Sequence, residues 1–212
     1  GELNLPNALE LTRRGLFNYM TKPARMKDIQ ECLKQARRHI QAPRLELEFP
    51  NFIAESQAMR DVRSSVKHAA EDRGASVLLT GETGVGKDVV ARLIHRISVQ
   101  RRSSSGEIVA LNCANLPSEM FEAELFGVEK GAFTGAVQSR QGLAEAASDG
   151  TLFLDEVAEL NLGQQAKLLQ FLETGEFRRL GDNRVRKFAG RIIAATNKPL
   201  HQEVEAGNFR ED

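Results

Sequence analysis

The sequence predicts an α/β fold with a mostly parallel sheet, and two observations carry that prediction. Short, unbroken apolar runs recur between helical stretches, and the first of the regular runs passes through a glycine-rich loop into a helix. Alternating strands and helices pack as layers around a parallel sheet, and strands covered on both faces read as continuous Val, Ile and Leu runs. In chain order, residues 8–19 read as a helix running into a strand, with Leu9, Leu11 and Leu16 loosely on one face. Lys22-Pro23 ends that element, because proline lacks an amide hydrogen and drives the preceding residue to extended geometry. Asp28 is the expected cap of a helix that carries Ile29, Leu33, Ala36 and Ile40 at helical spacing. From Gln41 to Pro50, prolines bracket Leu45, Leu47 and Phe49, a linker or short extended segment.

After Asn51 the alternation is regular. Strands are expected at Val77–Leu79, Ile108–Leu111, Leu152–Leu154 and Ile192–Ala195, each buried on both faces. Helices are expected over roughly 57–70, 87–99 and 162–173, the last with Leu168, Leu169 and Leu172 on its inner face. The first 40 residues hold too few elements to close a core alone.

Composition narrows the function classes. The 212 residues carry 29 basic and 29 acidic side chains, so net charge offers no general attraction to nucleic acid or to an anionic membrane. No apolar run approaches the roughly 20 residues of a membrane helix, and no signal segment opens the chain, so no membrane partner is expected. Cys32 and Cys113 lie far apart, and with His39, His68, His95 and His201 they form no metal-like pattern. A reducing, cytoplasmic setting is the expectation.

The chemistry concentrates in two places. Gly81-Glu82-Thr83-Gly84-Val85-Gly86-Lys87-Asp88 follows a buried strand and opens a helix. Glycines there let successive backbone amides point at phosphate oxygens, and the helix adds its positive end. Lys87 is expected to reach the β- and γ-phosphates of ATP. Asp88 stands where Ser or Thr usually holds magnesium, and a carboxylate can hold Mg2+ as well, since the ion prefers hard oxygen ligands. The second place is Leu152-Phe-Leu-Asp155-Glu156, a strand ending in adjacent carboxylates. Asp155 is expected to hold the magnesium shell and Glu156 to orient and deprotonate the attacking water. Together the two segments specify an ATPase.

Between them lies Glu124-Leu-Phe-Gly127, followed by Glu129-Lys130 and then Gly131, Ala132, Phe133, Thr134, Gly135 and Ala136. An apolar ring at the tip of a small-residue loop suits docking onto a partner, and a ring folded back into the core is the other reading the residues leave open. The Gly-Ala-Phe-Thr-Gly-Ala string resembles the AAA+ domain of sigma-54-dependent transcription activators of the NtrC/NifA type. Leu111-Asn-Cys-Ala114, Gly150–Glu156, Lys167-Leu-Leu169, Gly175-Glu-Phe177, Ala195-Thr-Asn197 and Gly207-Asn-Phe-Arg210 match the same family. The likeness covers residues 51–212 and implies a three-layer αβα P-loop sandwich, ATP and Mg2+ as cofactors, and self-association from dimer to ring. It implies that Asn112 is the switch asparagine that holds Glu156, that Asn197 is the γ-phosphate sensor, and that Arg210 enters a neighbouring subunit's site. Residues 131–136 would contact the sigma-54 factor of RNA polymerase. The basic stretch Arg178-Arg179 to Arg184-Val-Arg186-Lys187 around Gly181-Asp-Asn183 reads as a turn or hairpin and resembles the family's pore-side insertion; a partner contact and a solvated loop are both open readings for it.

Residues 1–40 resemble the C-terminal third of a flavodoxin-like response-regulator receiver, with Lys22 as its phosphate-sensing lysine, Tyr19 as its switch aromatic and a sensor kinase as partner. Residues 41–50 would be the linker. Ala54, Asp149 and Gln170 depart from the family pattern without removing a catalytic group. The sequence as it stands reads as two incomplete domains, with a second arginine, the helical lid and DNA contact supplied outside it. The expected function is ATP-dependent remodelling of sigma-54 polymerase; a non-hydrolysing nucleotide-dependent interaction module is the alternative.

Overall fold

The expected apolar runs do become the strands of one parallel sheet in the computed structural model, which describes residues 26–27, 29, 55–72, 74–102 and 106–211. The chain divides into two units, Gly1–Ile53 and Ala54–Asp212. In the first, residues 26, 27 and 29 are helical, so the helix has begun by Met26, ahead of the start expected at Asp28. The receiver reading of residues 1–40, with Tyr19 and Lys22, and the linker at 41–50 lie otherwise outside the described residues.

In the second unit, α1 (Gln57–Glu71) leads to β1 (Val77–Thr80) and α2 (Lys87–Arg102). Next come β2 (Ile108–Asn112), short 3-10 turns, α3 (Phe121–Phe126), β3 (Gly127–Val128), β4 (Arg140–Gln141) and α4 (Leu143–Ala146). The chain continues through β5 (Thr151–Asp155), a 3-10 turn at Val157–Glu159, α5 (Leu162–Thr174), β6 (Glu176–Phe177), β7 (Arg186–Lys187), β8 (Arg191–Thr196) and α6 (Leu200–Glu205). The sheet is four-stranded, in the order β1-β8-β5-β2, and every pairing in it is parallel.

Burial separates the strands. Along β5 and β8 nearly every residue is buried, and because neighbouring side chains point to opposite faces, both faces must be covered. Leu152, Leu154 and Ile192 join one core cluster with Phe121, Leu125 and Phe171, while Phe153 and Ile193 are buried outside it, on the other face. The expectation that all four strands are buried on both faces fails for β1 and β2. They are the outer strands of this sheet, flanked on one side only, and Leu78 is 50% exposed.

Local signals set the element ends. Ser56 caps α1 by accepting the Met59 amide, and Asn161 and Gln164 form a reciprocal capping box at the start of α5. Gly175, left-handed at φ 65°, ends α5. The inner face of α5 carries Gln165, Leu168 and Phe171, whereas Leu172, expected there, is exposed. At 100° per residue Leu172 falls within the stripe drawn through 165, 168 and 171, so its exposure comes from its place in the last turn of α5, not from its side of the helix. Phe171 meets Phe126, Phe177 and Phe188 at ring-centroid distances of 5.3–5.7 Å. Gly150 is required by proximity: a Cβ there would sit 1.9 Å from the Glu107 carbonyl, at the start of β5. Arg191, 3% exposed, draws α1 and α2 onto β8 by donating to the Ala69 and Ala75 carbonyls and to Ser98.

Candidate nucleotide site and partner loop

Parallel register brings the expected site residues to one edge. Thr80 aligns with Thr196, and Asn112 aligns with Asp155, so the loop after β1, the end of β2, Asp155-Glu156 and Asn197 all lie at the C-terminal ends of the strands. Ligands of open parallel sheets bind outside those ends.

The loop at 81–86 is held open by backbone conformation. Gly84 and Gly86 have φ of +82° and +93°, a region that L side chains rarely adopt, and no atom lies within 4 Å of where a Gly84 Cβ would be. The Lys87 ammonium donates to the carbonyls of Gly81 (2.9 Å) and Glu82 (3.1 Å), folding back over its own loop. Asp88 sits exposed in the first turn of α2, where a carboxylate is favoured by the helix dipole. Exposed backbone amides, a lysine and a helix start suit a polyphosphate. A cleft of about 600 Å³ opens beside the loop, lined by Met59, Val62, Leu78, Val85 and Val90.

Glu156 is the one non-glycine residue at positive φ among the described residues (φ 53°, ψ 50°). A left-handed conformation costs a non-glycine residue about 1–2 kcal/mol, so the surroundings must hold it. Asp155 Oδ1 accepts the Glu156 amide at 3.0 Å, and Glu156 Oε2 accepts the Asn197 amide at 3.1 Å. Asn197 Nδ2 in turn donates to Thr83 Oγ1 at 2.9 Å. One chain of hydrogen bonds therefore connects the acidic strand end, the segment after β8 and the phosphate loop. The Asn112 side chain is engaged elsewhere: its oxygen accepts the Ala114 amide at 3.0 Å, and among the described residues no hydrogen bond joins it to Glu156. Among the described residues no group of three His, Cys, Asp or Glu side chains forms a metal site. A magnesium ion would rest on one or two carboxylates, phosphate oxygens and water, the donor set this ion commonly takes.

The loop at 131–136 is closed at its neck. Gly131 donates to the Ala136 carbonyl at 2.8 Å, and Ala136 donates to the Phe133 carbonyl at 3.0 Å. Gly131 and Gly135 have φ of +83° and +107°, with open space around each. Phe133 at the tip is 51% exposed, beside a groove of about 920 Å³ that Met120, Val137 and Leu180 also line. Below the neck, Glu129 donates its amide to the Leu180 carbonyl, and Leu180 donates to Gly127, both at 2.9 Å.

The basic stretch is indeed a hairpin, β6 with β7. Its arginines divide: two are solvated, as one open reading had it, and two have a role that neither reading included. Arg178 and Arg184 are exposed, but Arg179 turns inward, with bonds of 2.8 and 2.6 Å to Glu145 and 2.8 Å to Glu129. Arg186 pairs with Glu145 at 2.9 Å and Asp182 at 2.6 Å. Arg179 holds the Glu145 carboxyl below its usual range, and Ser139 and Arg179 do the same for Glu129. Gly181 packs so closely on the loop that a Cβ would fall 2.7 Å from the Ala132 Cβ.

The remaining expected residue, Arg210, lies beyond α6, and its amide donates to Gln165 Oε1 at 2.9 Å. Gln165 was not legible from the sequence, because a buried amide inside a helix has no spacing signature. Burial, with Asp155 and Glu156 nearby, pushes the Cys113 thiol up to about 12, which keeps it protonated and inert. His95 contacts Thr151 Oγ1 at 2.9 Å, and burial lowers its pKa. No described helix is long and apolar enough to cross a membrane.

Residues 52–212 match the family described as the sigma-54 interaction domain. Regulatory protein LuxO of Vibrio cholerae is 39% identical over 214 residues, covering 99% of this chain and 46% of LuxO. Regulatory protein AtoC of Escherichia coli K12 is 42% identical over 97% of this chain and 46% of its own length. The phenol regulator MopR of Acinetobacter guillouiae is 54% identical over 76% of this chain and 28% of its own. Among solved structures, NtrX from Brucella abortus in complex with ATP has a TM-score of 0.66 at 30% identity, covering 100% of this chain and 48% of that one. Its complex with ADP has a TM-score of 0.66 at 31% identity, over 100% and 45%. The chain thus spans half or less of the length of the relatives it matches.

Proposed function

The chain belongs to the sigma-54 interaction domain family, and from that premise we propose that it is an ATP-hydrolysing subunit that remodels sigma-54 RNA polymerase for promoter opening. The hydrogen-bonded chain Glu156–Asn197–Thr83 is the observation that supports this reading most directly. It ties a base poised for water to a sensor and to the phosphate loop, a connection that a mere phosphate binder does not need.

In this mechanism the amides of residues 82–87 and the Lys87 ammonium bind the phosphates, Lys87 exchanging its loop carbonyls for phosphate oxygens. The cleft beside β1 takes the base. Asp88 and Asp155 would hold magnesium, which neutralises phosphate charge when bound. Glu156 orients the water and accepts its proton. Asn197 senses the γ-phosphate, and Asn112 takes the Glu156 carboxylate in the alternate state. Arg210 of one subunit stabilises developing charge in the next, so turnover depends on self-association. Phe133 and Thr134, carried by the loop at 131–136, contact the sigma-54 factor. Control by a receiver at residues 1–40, input from a sensor kinase, DNA contact through a further domain and a cytoplasmic setting complete the proposal.

Two activities measured on one variant test it. Phe133→Ala should leave ATP turnover within about twofold and abolish nucleotide-dependent retention of sigma-54, since an exposed tip ring carries binding rather than chemistry. Lost turnover with retained sigma-54 would overturn the division of roles. A concentrated wild type without turnover would favour a non-hydrolysing module instead.

A further inference from the structure

Gln165 sits on α5 at 5% exposure, so the protein must satisfy its amide, and it does so with partners far along the chain. The side-chain nitrogen donates to the Leu160 carbonyl at 2.7 Å and to the Asn208 carbonyl at 2.9 Å. The side-chain oxygen accepts the Arg210 amide at 2.9 Å. A polar residue that merely filled the core could be satisfied by its own helix. Here two of the three bonds span 43 and 45 residues.

Both ends of this bridge matter. Leu160 closes the 3-10 turn that begins directly after Glu156, and Lys198, next to Asn197, grips the same turn through Glu159 at 2.9 Å. At the other end, Asn208 and Phe209 donate to the Glu203 carbonyl, and Gly207 is left-handed at φ 72°, so the α6 end is ordered up to the point where Gln165 takes over.

We propose that Gln165 is the positioning residue for Arg210: it pins the backbone of the arginine segment to the turn that follows Glu156. The direction in which Arg210 leaves its own subunit is then set by the state of that subunit's acidic strand end. Only an uncharged amide supplies two donors and an acceptor at one place; a carboxylate loses the donors, and an apolar side chain loses all three bonds. The inference rests on the reading of Arg210 as the group that completes a neighbour's site.

Subunit mixing in the full-length native protein tests it. Gln165→Met should lower ATP turnover by about tenfold or more, because small displacements of a transition-state group are expensive, while nucleotide binding stays unchanged. Glu156→Gln, inactive alone, is isosteric and keeps an oxygen acceptor for the Asn197 amide, so it still offers a well-placed Arg210. Equal amounts of the two variants, mixed before nucleotide is added, should regain turnover, as should Arg210→Ala mixed with Glu156→Gln. Recovery in the Arg210 mixture without recovery in the Gln165 mixture overturns the role of Gln165. No recovery in either overturns the reading of Arg210 itself. If Gln165→Met does not fold, as judged by its thermal transition, Gln165→Glu serves instead. It keeps the acceptor for Arg210 and should lose less turnover, with the same recovery; Gln165→Glu that matches wild type overturns the proposal.

Discussion

The phosphate loop and the partner loop are both glycine-rich, yet they are built in opposite ways. The phosphate loop is held lightly: Lys87 folds onto its own carbonyls, and among the described residues one side-chain bond, from Asn197 to Thr83, and one backbone bond, from Gly81 to Thr196, tie it to the end of β8 and the segment after it. The partner loop is held from below by charged and backbone bonds to the β6–β7 hairpin, with Phe133 left exposed above. A site meant to be completed by its ligand gains from contacts that a phosphate can displace. A loop that contacts sigma-54, as proposed, gains from a base that cannot yield separately from the hairpin beneath it.

Three measurements can break or sharpen that contrast. Glu156→Gln should lower turnover by about 100-fold or more while nucleotide still binds, since loss of a general base has effects of this order; binding measured by fluorescent nucleotide separates the two effects. Arg179→Met should leave the phosphate loop intact but destabilise the fold by about 2 kcal/mol, the scale of partly buried hydrogen bonds to charged groups, measured by denaturant unfolding. Its pH dependence follows from sign. Arg179 lowers the folded-state pKa of Glu145 by hydrogen bonding, so this stabilisation is fully present above the ordinary carboxylate value near ~4.3 and is lost as pH falls through the lower folded value. The stability gap between wild type and Arg179→Met should therefore hold steady above about pH 5 and close under more acidic conditions. Thr83→Val should have the smallest effect, about twofold to fivefold in nucleotide affinity or turnover, the worth of one exposed hydrogen bond, with no change in melting temperature. A large loss of stability from Thr83→Val would show that the phosphate loop is as firmly built as the partner loop.

What the sequence revealed follows from what leaves a periodic trace. The strands at 77, 108, 152 and 192 and the long helices announced themselves through apolar runs and 3.6-residue spacing, and the phosphate loop and acidic pair through motifs at strand ends. The two-residue pairing of β3 with β4 is too short for any pattern, whereas that of β6 with β7 showed through its turn at Gly181-Asp-Asn183. Leu172 has the helical spacing of the inner face yet is exposed in the last turn of α5, because spacing does not reveal where the packing against a helix stops. Arg179 and Arg186 looked like surface charge, since their partners Glu129 and Glu145 lie far off in sequence. The left-handed Glu156 had no local signal either: its conformation is held by contacts from Asp155 and Asn197.

The hydrogen bond from Gly131 to Ala136 has an energetic consequence beyond shape. A loop already closed at its neck has surrendered most of its backbone freedom before anything docks, so an incoming partner does not bear the ordering entropy of those residues. Under the proposed function its association free energy then rests on the burial of the Phe133 ring, the contact of Thr134 and the desolvation around them. An interaction of that kind can be made and released repeatedly, because what changes between the bound and free loop is mainly the surface it hides.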